Sequence, residues 1–196
     1  MTRDIVEAVF SFWFEEGIVP GICEYRPIWF ASPPEFDAAI TDRFSEAFEH
    51  AARNDLDHIA ASPKGALALI LMLDQFPRSL FRSGPRAFAT DAKARTICRK
   101  AIARGDDQQL AGIQRIFCYL PLQHSERLED QIRSVKFFDL LGKEKVFHFI
   151  QEAARRHLHI IERFGRFPHR NAALSRVPTP DERTFLESDE GKFWSH

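Results

Sequence analysis

The chain has 196 residues, of which 44% are hydrophobic and 28% charged, so it is long enough to bury the core of one globular domain. Its formal net charge of −1 leaves no global field to attract nucleic acid or an anionic membrane. The longest purely apolar run, residues 66–73, is far shorter than the roughly 20 residues of a membrane-spanning helix. Three scattered cysteines without a CxxC pair argue against a zinc ribbon or a disulfide scaffold. We therefore expect a single cytoplasmic domain over residues 1–196 that binds neither nucleic acid nor a membrane.

Helical signals recur along the chain, whereas the alternating pattern of a half-buried strand does not. Apolar residues at helical spacing over residues 3–16 predict a first helix that ends at Gly17, before a loop that runs to Ala31. The order Ser32-Pro33-Pro34-Glu35 is typical of a capping box, in which the serine caps the next helix and a proline takes its first position. Apolar residues then recur every three or four positions and predict one buried face, formed by Phe36, Ile40, Phe44, Phe48 and Ala51.

A central helix is predicted over residues 66–76, after a second serine-proline start at Ser62-Pro63. Almost every residue of this stretch is apolar, and a helix that is apolar all round has neighbours on several sides. We expect Pro77 to end or kink this helix, because proline lacks an N–H and its ring clashes with the preceding turn.

The second half of the chain carries five further helix signals. A capping box at Thr179-Pro180-Asp181-Glu182 opens a short terminal helix. The helix predicted over residues 112–120 is broken by Pro121, and the helix predicted after it is capped by Ser125. Short connections favour antiparallel neighbours, so we predict an all-α fold of about eight helices as stacked antiparallel hairpins. The four helices before the terminal one are predicted at residues 90–104, 112–120, 125–141 and 144–164.

Polar residues crowd into three segments, Leu73–Arg82, Tyr119–Gln131 and His157–Asn171, each at a predicted helix end or break. Helix termini leave backbone N–H or C=O groups without partners, so such positions are suited to binding. Asp74 ends the most buried helix, and a buried carboxylate needs a partner. The candidate ligand-binding residues are Asp74, Gln75, Arg78, Arg82, His124, Gln131, His157, Arg166, His169, Arg170 and Asn171.

Two interpretations of these segments stay open. An Asp–Arg network that ties helix ends together explains the residues without a ligand, whereas arginine forks are also suited to a carboxylate or phosphate. A metal site built from His124, His157 and His169 is a further alternative, but we expect no metal and no cofactor, since HExxH, GxSxG, P-loop and dinucleotide motifs are absent. The candidate catalytic residues are His124 or His169 as general base and Asp74 or Glu126 as the orienting carboxylate.

Three strings of residues carry a resemblance to a known family: Leu73-Asp74-Gln75-Phe76-Pro77-Arg78, Tyr119–Glu126 and Arg163–Asn171. They resemble the bacterial domain-of-unknown-function family 924, and the resemblance extends in order over nearly the whole chain. It implies an all-helical fold similar to tetratricopeptide-type stacks, a TPR-like superhelix, and it implies no activity, cofactor or catalytic residue. The chain departs from the pattern at Gln123, where the resemblance leads us to expect a glutamate, and at His159.

Three functions fit the sequence. The first is a binding module that holds an anionic small molecule or a peptide in an Arg/His/Asp-rich groove. The second is a hydrolase that acts on an anionic small molecule through a histidine–carboxylate pair. The third is a structural or protein-interaction domain, in which the polar motifs are internal salt bridges and the surface recruits a protein partner. We favour the binding module, because no nucleophile–base pair is legible in the sequence.

Overall fold

The computed structural model describes residues 2–15 and 25–193, and within these ranges the chain is all-α, without a strand. The predicted fold class is thereby confirmed. No helix of the described part is both long and apolar enough to cross a bilayer. The predicted helix end at Gly17 lies outside the described residues, as do Cys23 and most of the loop before residue 25. The α-helices are α1 (Thr2–Phe14), α2 (Ile28–Ala31), α3 (Pro34–Ala52), α4 (Pro63–Ile70), α5 (Phe76–Leu80), α6 (Asp91–Arg104), α7 (Gly112–Gln123), α8 (Leu128–Asp139), α9 (Lys145–Phe164), α10 (Pro180–Glu187) and α11 (Asp189–Phe193).

Helix α4 is the centre of the fold, as the apolar stretch predicts. Every residue from Ala66 to Leu73 is almost completely buried, and α4 contacts α1, α6 and α7. The main core draws side chains from α1 through α9. A smaller core of Ile160, Ile161, Phe167 and Phe185 lies where the end of α9 meets α10. The single domain over 1–196 and the TPR-like superhelix stay predictions.

The central helix does not stop at Pro77 but widens before it. Residues Leu71–Gln75 form a π-helical turn between α4 and α5, in which the Phe76 N–H donates to the Leu71 carbonyl. The physical cause is Pro77, whose ring would clash with the carbonyl of Leu73, four residues back, in a regular helix. Single π turns inside α-helices are frequent at functional sites. This one contains Asp74.

Two side chains from outside the turn satisfy carbonyls that the widened helix leaves free. The Thr90 hydroxyl donates to the Leu73 carbonyl at 2.6 Å, and Nη1 of Arg78 donates to the Asp74 carbonyl at 2.6 Å. Buried carbonyls that lack a partner are costly. The π turn therefore depends on residues of α5 and of the turn before α6.

Two of the predicted caps are confirmed. The Ser62 hydroxyl accepts from the Gly65 N–H at 3.1 Å and so caps α4. At α10 the predicted capping box is complete: the Thr179 hydroxyl accepts from the Glu182 N–H at 3.2 Å, and the Glu182 carboxylate accepts from the Thr179 N–H at 2.7 Å.

The capping box predicted at Ser32 is wrong. Ser32 ends α2 in a left-handed conformation with φ of 42°, and Pro33 takes the N-cap position of α3. A capping serine needs an extended backbone. Because its backbone is already committed to the end of α2, Ser32 donates its hydroxyl to Asp37 at 3.2 Å instead.

Two boundaries around α7 also differ from prediction. Helix α7 passes through Pro121, because nearly all of its residues are buried and their packing outweighs the one hydrogen bond that a proline removes. Ser125 does not cap α8, which begins only at Leu128. The Ser125 hydroxyl instead donates to the buried Asp130 at 2.8 Å and accepts from the Arg127 N–H at 3.2 Å.

Candidate functional site

A carboxylate–histidine pair lies where the π turn meets the end of α7. Asp74 is fully buried, and Nδ1 of His124 lies 2.9 Å from each of its carboxylate oxygens. Gln75 adds a second donor to Asp74 at 2.5 Å. The π turn between α4 and α5 carries the acid, and His124 is the residue that directly follows α7. The structure thus brings together two residues that lie 50 positions apart in the sequence.

The charge state of Asp74 fixes the tautomer of His124. Burial alone would raise the pKa of Asp74, but the charges of His124 and Arg78 outweigh it and lower this pKa to about 2. An ionised carboxylate only accepts hydrogen bonds, so Nδ1 of His124 must be the donor. In the neutral ring the lone pair is then on Nε2. No residue in the described ranges forms a hydrogen bond with Nε2, and the His124 side chain is 14% exposed.

Arg78 joins the π turn to the start of α6. Nη1 donates to the carbonyls of Asp74 (2.6 Å) and Ala87 (3.0 Å), and both terminal nitrogens pair with the Asp91 carboxylate at 3.1 Å. Its guanidinium also lies 5.5 Å from the centre of the Phe88 ring. With this many partners, Arg78 holds the carboxylate-bearing turn in position.

Arg170 is buried beside the pair. Nη1 donates to the His124 carbonyl at 3.0 Å and lies 3.4 Å from the Asp91 carboxylate. The guanidinium contacts two aromatic rings, 4.8 Å from the centre of Phe88 and 4.5 Å from the centre of Phe167. Burial and the nearby charge of Arg78 lower the pKa of Arg170 to about 10, so it stays protonated at neutral pH.

Two more histidines complete the cluster around Phe167. The centre of the His157 ring lies 6.4 Å from that of His124 and 5.4 Å from that of Phe167, and the His169 ring lies 5.4 Å from Phe167. Burial lowers the pKa of His157 well below its ordinary value. Burial and the charge of Arg170 lower the pKa of His169 to about 3. Both rings are therefore neutral at neutral pH, and a base as weak as His169 accepts protons poorly.

Glu126, the other candidate for orienting a histidine, is committed elsewhere. Its carboxylate binds Arg176 at 2.8 and 3.0 Å and accepts from the Phe167 N–H at 2.8 Å. Gln131 is fully buried and donates to the carbonyls of Gln123 and Ser125. These residues hold the connection from α7 to α8 in place.

Three other predicted site residues form internal pairs outside the cluster. Arg82 is half-exposed and forms an ion pair with Asp37 of α3. Arg166 holds Glu182 with Nε at 2.6 Å and Nη2 at 2.7 Å, and Asn171 donates to the same carboxylate at 3.2 Å. The hydrogen bonds from Arg166 outweigh desolvation and lower the pKa of Glu182 to about 2.

A cavity of about 370 Å³ lies next to the cluster, between the turn Pro168–Arg170 and α10. His169, Asn171 and Arg176 line it together with apolar residues, among them Leu186. This volume falls within the range of small-molecule sites. In the described part of the chain, no group of three or more His, Cys, Asp or Glu side chains is placed to hold a metal ion.

The sequence interpretation missed four residues of this region. Asp91 and Phe88 contact both Arg78 and Arg170, Thr90 holds the π turn, and Arg176 holds Glu126. Three of them lie together in the string Arg86–Asp91, of which only residues 90 and 91 were interpreted, as the start of a helix.

Comparison with known proteins identifies the family of the chain. The model of a family described as bacterial protein of unknown function (DUF924) matches residues 9–190. A solved structure of a protein of unknown function from Agrobacterium tumefaciens is similar, with 38% identity and a TM-score of 0.83 over 95% of this chain and 99% of that one. No curated protein matches the chain. The matched residues include the whole Asp74–His124–Arg170 cluster, and the chain belongs to the DUF924 family of bacterial proteins.

Proposed function

We propose that this protein is a hydrolase in which His124, oriented by Asp74, is the general base that activates a water molecule. The observation that carries the proposal is the 2.9 Å contact of His124 Nδ1 with a fully buried carboxylate, which leaves Nε2 without a partner among the described residues. A buried carboxylate that holds one ring nitrogen of a histidine orients the other for proton transfer.

The nucleophile in this proposal is water, because the neighbouring hydroxyl is already committed. The Ser125 hydroxyl donates to Asp130 at 2.8 Å, so its proton is not directed at His124. An acyl-enzyme route through Ser125 would need that bond to break. A water molecule at Nε2 needs no such change, and a positioned base accelerates attack by water roughly 10²–10⁴-fold.

The proton transfers follow from the tautomer. Nε2 of His124 takes a proton from the attacking water while the ionised Asp74 stabilises the resulting imidazolium through Nδ1. The same nitrogen then returns the proton to the leaving group. Arg170, bound to the backbone carbonyl of His124 at 3.0 Å, places a positive charge beside the residue that carries the base.

A second candidate function is ligand binding without chemistry, which the cavity of about 370 Å³ beside His169 and Arg176 favours. In that case the cluster would hold an anionic small molecule or a peptide, as the arginine content of the sequence suggests. The two functions differ in a simple way. A binding module is stabilised by its ligand and leaves the ligand unchanged, whereas a hydrolase consumes it.

The test is a hydrolysis screen against chromogenic carboxylic esters, anilides, phosphomonoesters and phosphodiesters, with the wild-type protein and His124→Asn. The asparagine amide can still donate to Asp74 but has no nitrogen in the place of Nε2. We expect activity on one bond class that falls roughly 10²–10⁴-fold in His124→Asn. His159→Asn, on the exposed face of α9, is the matched control and should keep full activity.

Equal rates for the wild type and His124→Asn on every bond class would refute the hydrolase. If compounds of the same panel then raise the melting temperature and remain unhydrolysed, the binding module is the better description.

A further inference from the structure

The unused edge of Arg170 points to the class of substrate. We propose that the substrate carries an oxyanion, a carboxylate or a phosphoryl group, and that it binds edge-on to Nε and Nη2 of Arg170. The inference rests on the proposed function, because it places this group next to His124. Arg170 forms its hydrogen bonds to the described residues through one nitrogen, Nη1.

Both polar contacts that Arg170 makes with the described residues use Nη1. That atom donates to the His124 carbonyl at 3.0 Å and lies 3.4 Å from Asp91. Nε is buried and has no hydrogen-bond partner, and no residue in the described ranges bonds to Nη2. Arg170 is only 7% exposed, and a buried donor without a partner is costly unless a ligand or an ordered water fills its place.

Two other arginines of this molecule show what the Nε and Nη2 edge of an arginine binds. Arg166 holds the Glu182 carboxylate with Nε at 2.6 Å and Nη2 at 2.7 Å. Arg104 also presents Nε and Nη2 to one carboxylate, that of Asp106. Arg166 binds with two parallel N–H groups, one to each carboxylate oxygen, which is the strongest arrangement available to an arginine, whereas both N–H groups of Arg104 converge on one oxygen. In Arg170 no group of the described residues accepts a hydrogen bond from the corresponding edge.

The acids near Arg170 are already used by other residues. Arg78 takes both oxygens of Asp91 at 3.1 Å. His124 takes both oxygens of Asp74, and Arg176 takes both oxygens of Glu126. No acid of the described residues binds Arg170 through two oxygens, and an oxyanion from outside the chain would fill that place.

The surroundings of Arg170 suit an oxyanion of a substrate. The guanidinium lies 4.8 and 4.5 Å from the centres of the Phe88 and Phe167 rings, and these contacts restrict its movement before a ligand arrives. Burial strengthens a charge-assisted hydrogen bond because water competes less for it. The bond from Nη1 to the His124 carbonyl joins this site to the residue that bears the proposed base.

The test follows arginine Nε–H and histidine ring nitrogen signals by NMR while inorganic phosphate or acetate is added to the wild-type protein. The Arg170 signal is assigned from its contacts with the Phe88 and Phe167 rings and from its loss in Arg170→Lys. Arg166 is the internal control, because Glu182 already occupies its Nε and Nη2. The exposed Arg133 reports non-specific association of the anion.

We expect the Arg170 Nε–H signal to shift and saturate at an anion concentration about tenfold lower, or less, than Arg133 requires, while Arg166 stays unchanged. A response to phosphate but not acetate identifies a phosphoryl group, and the reverse identifies a carboxylate. If Arg170 responds to neither anion before Arg133 does, its edge holds an ordered water only and the inference is wrong.

The same spectra separate this failure from a failure of the proposed function. If the Nδ1 proton of His124 stays hydrogen-bonded to Asp74 and Nε2 is unprotonated, the general base is intact, even if the Arg170 signal responds to neither anion. A His124 ring without that Nδ1 bond contradicts the hydrolase, whatever Arg170 does.

Discussion

Two buried regions of this molecule contain the same kinds of residue and differ in how completely their polar groups are paired. Where α9 meets α10, Glu182 accepts from both edge nitrogens of Arg166, from the Thr179 N–H and from Asn171. At the π turn, Asp74 is equally well paired, but Nε2 of His124 and the Nε edge of Arg170 have no partner in the described ranges.

The difference separates a structural site from a candidate functional one. Leaving a buried polar group unpaired costs free energy, so a fold selected for stability alone would fill both regions. The α9–α10 region does so with Glu182. Unpaired groups at the π turn are those that a substrate or a reacting water would use. Arg166 and Arg170 lie in one short string, and their difference becomes visible only when the partners of each are known.

The largest effect is expected where pairing is complete. Glu182→Ala removes the acid from Arg166, half of the capping box from α10 and the partner of Asn171. Breaking a buried pair typically costs 3–5 kcal/mol, and Arg166 is 28% exposed, so we expect a loss of about 3 kcal/mol in the free energy of unfolding. Urea denaturation at pH 7 measures it.

Glu187→Ala is the matched control, since Glu187 is an exposed residue of the same helix. It should change the free energy of unfolding by less than about 0.5 kcal/mol. Equal losses in the two variants would mean that Glu182 does not stabilise α10 through its partners.

The helices could largely be predicted because their signals are local. The capping box of α10 lies within four consecutive residues, and its hydrogen bonds form as predicted. The same pattern failed at Ser32 because α2, a short helix without its own sequence signal, ends on that residue. Local patterns therefore predict an element unless a neighbouring element uses the same residues.

The candidate site could be predicted only as a set of residues, since its pairs join distant parts of the chain. Glu126 lies two positions from His124, yet it binds Arg176, 50 positions away. The partner of His124 is Asp74, 50 positions in the other direction. Sequence spacing gives no distance between such residues. Several cations and histidines in these segments could have paired with either acid.

The next effect concerns the support of the π turn. Thr90→Val removes the hydroxyl that donates to the Leu73 carbonyl at 2.6 Å and leaves a buried carbonyl without its partner. We expect a loss of about 2 kcal/mol in the free energy of unfolding. Thr96→Val, on the exposed side of α6, removes a hydroxyl bonded to its own helix and should cost much less. If the two substitutions cost the same, Thr90 does not hold the turn.

The effect expected for each pH unit at His169, in the cluster beside the π turn, is smaller than that of Thr90→Val. Burial lowers the pKa of His169 to about 3, below the ordinary 6.5, so the unfolded chain takes up this proton first. Its contribution to stability is complete above about pH 6.5 and is lost as the pH falls toward 3, with a slope of about 1.4 kcal/mol per pH unit. Asp74 and Glu182, with pKa values lowered to about 2, contribute pH dependence only below about pH 4.5.

His169→Gln should therefore reduce the slope of the free energy of unfolding against pH by about 1.4 kcal/mol per pH unit between pH 6 and pH 5. The further loss of stability below pH 4, which comes from the carboxylates, should remain. Urea denaturation at pH 7, 6, 5 and 4 gives both slopes. Parallel curves for the wild type and the variant would show that His169 is not buried as a neutral ring.

The smallest effect on stability is expected at Arg170, and it decides whether Arg170 differs from the structural Arg166. Arg170→Lys keeps the positive charge and a donor for the His124 carbonyl, and it removes the buried Nε that has no partner. What is lost is stacking on two rings, so we expect a change of less than about 1 kcal/mol in the free energy of unfolding. Arg166→Lys, in contrast, breaks a two-bond fork on a buried acid and should lower stability more. If Arg170→Lys costs as much as Arg166→Lys, both arginines are structural, and the unpaired edge of Arg170 marks no substrate.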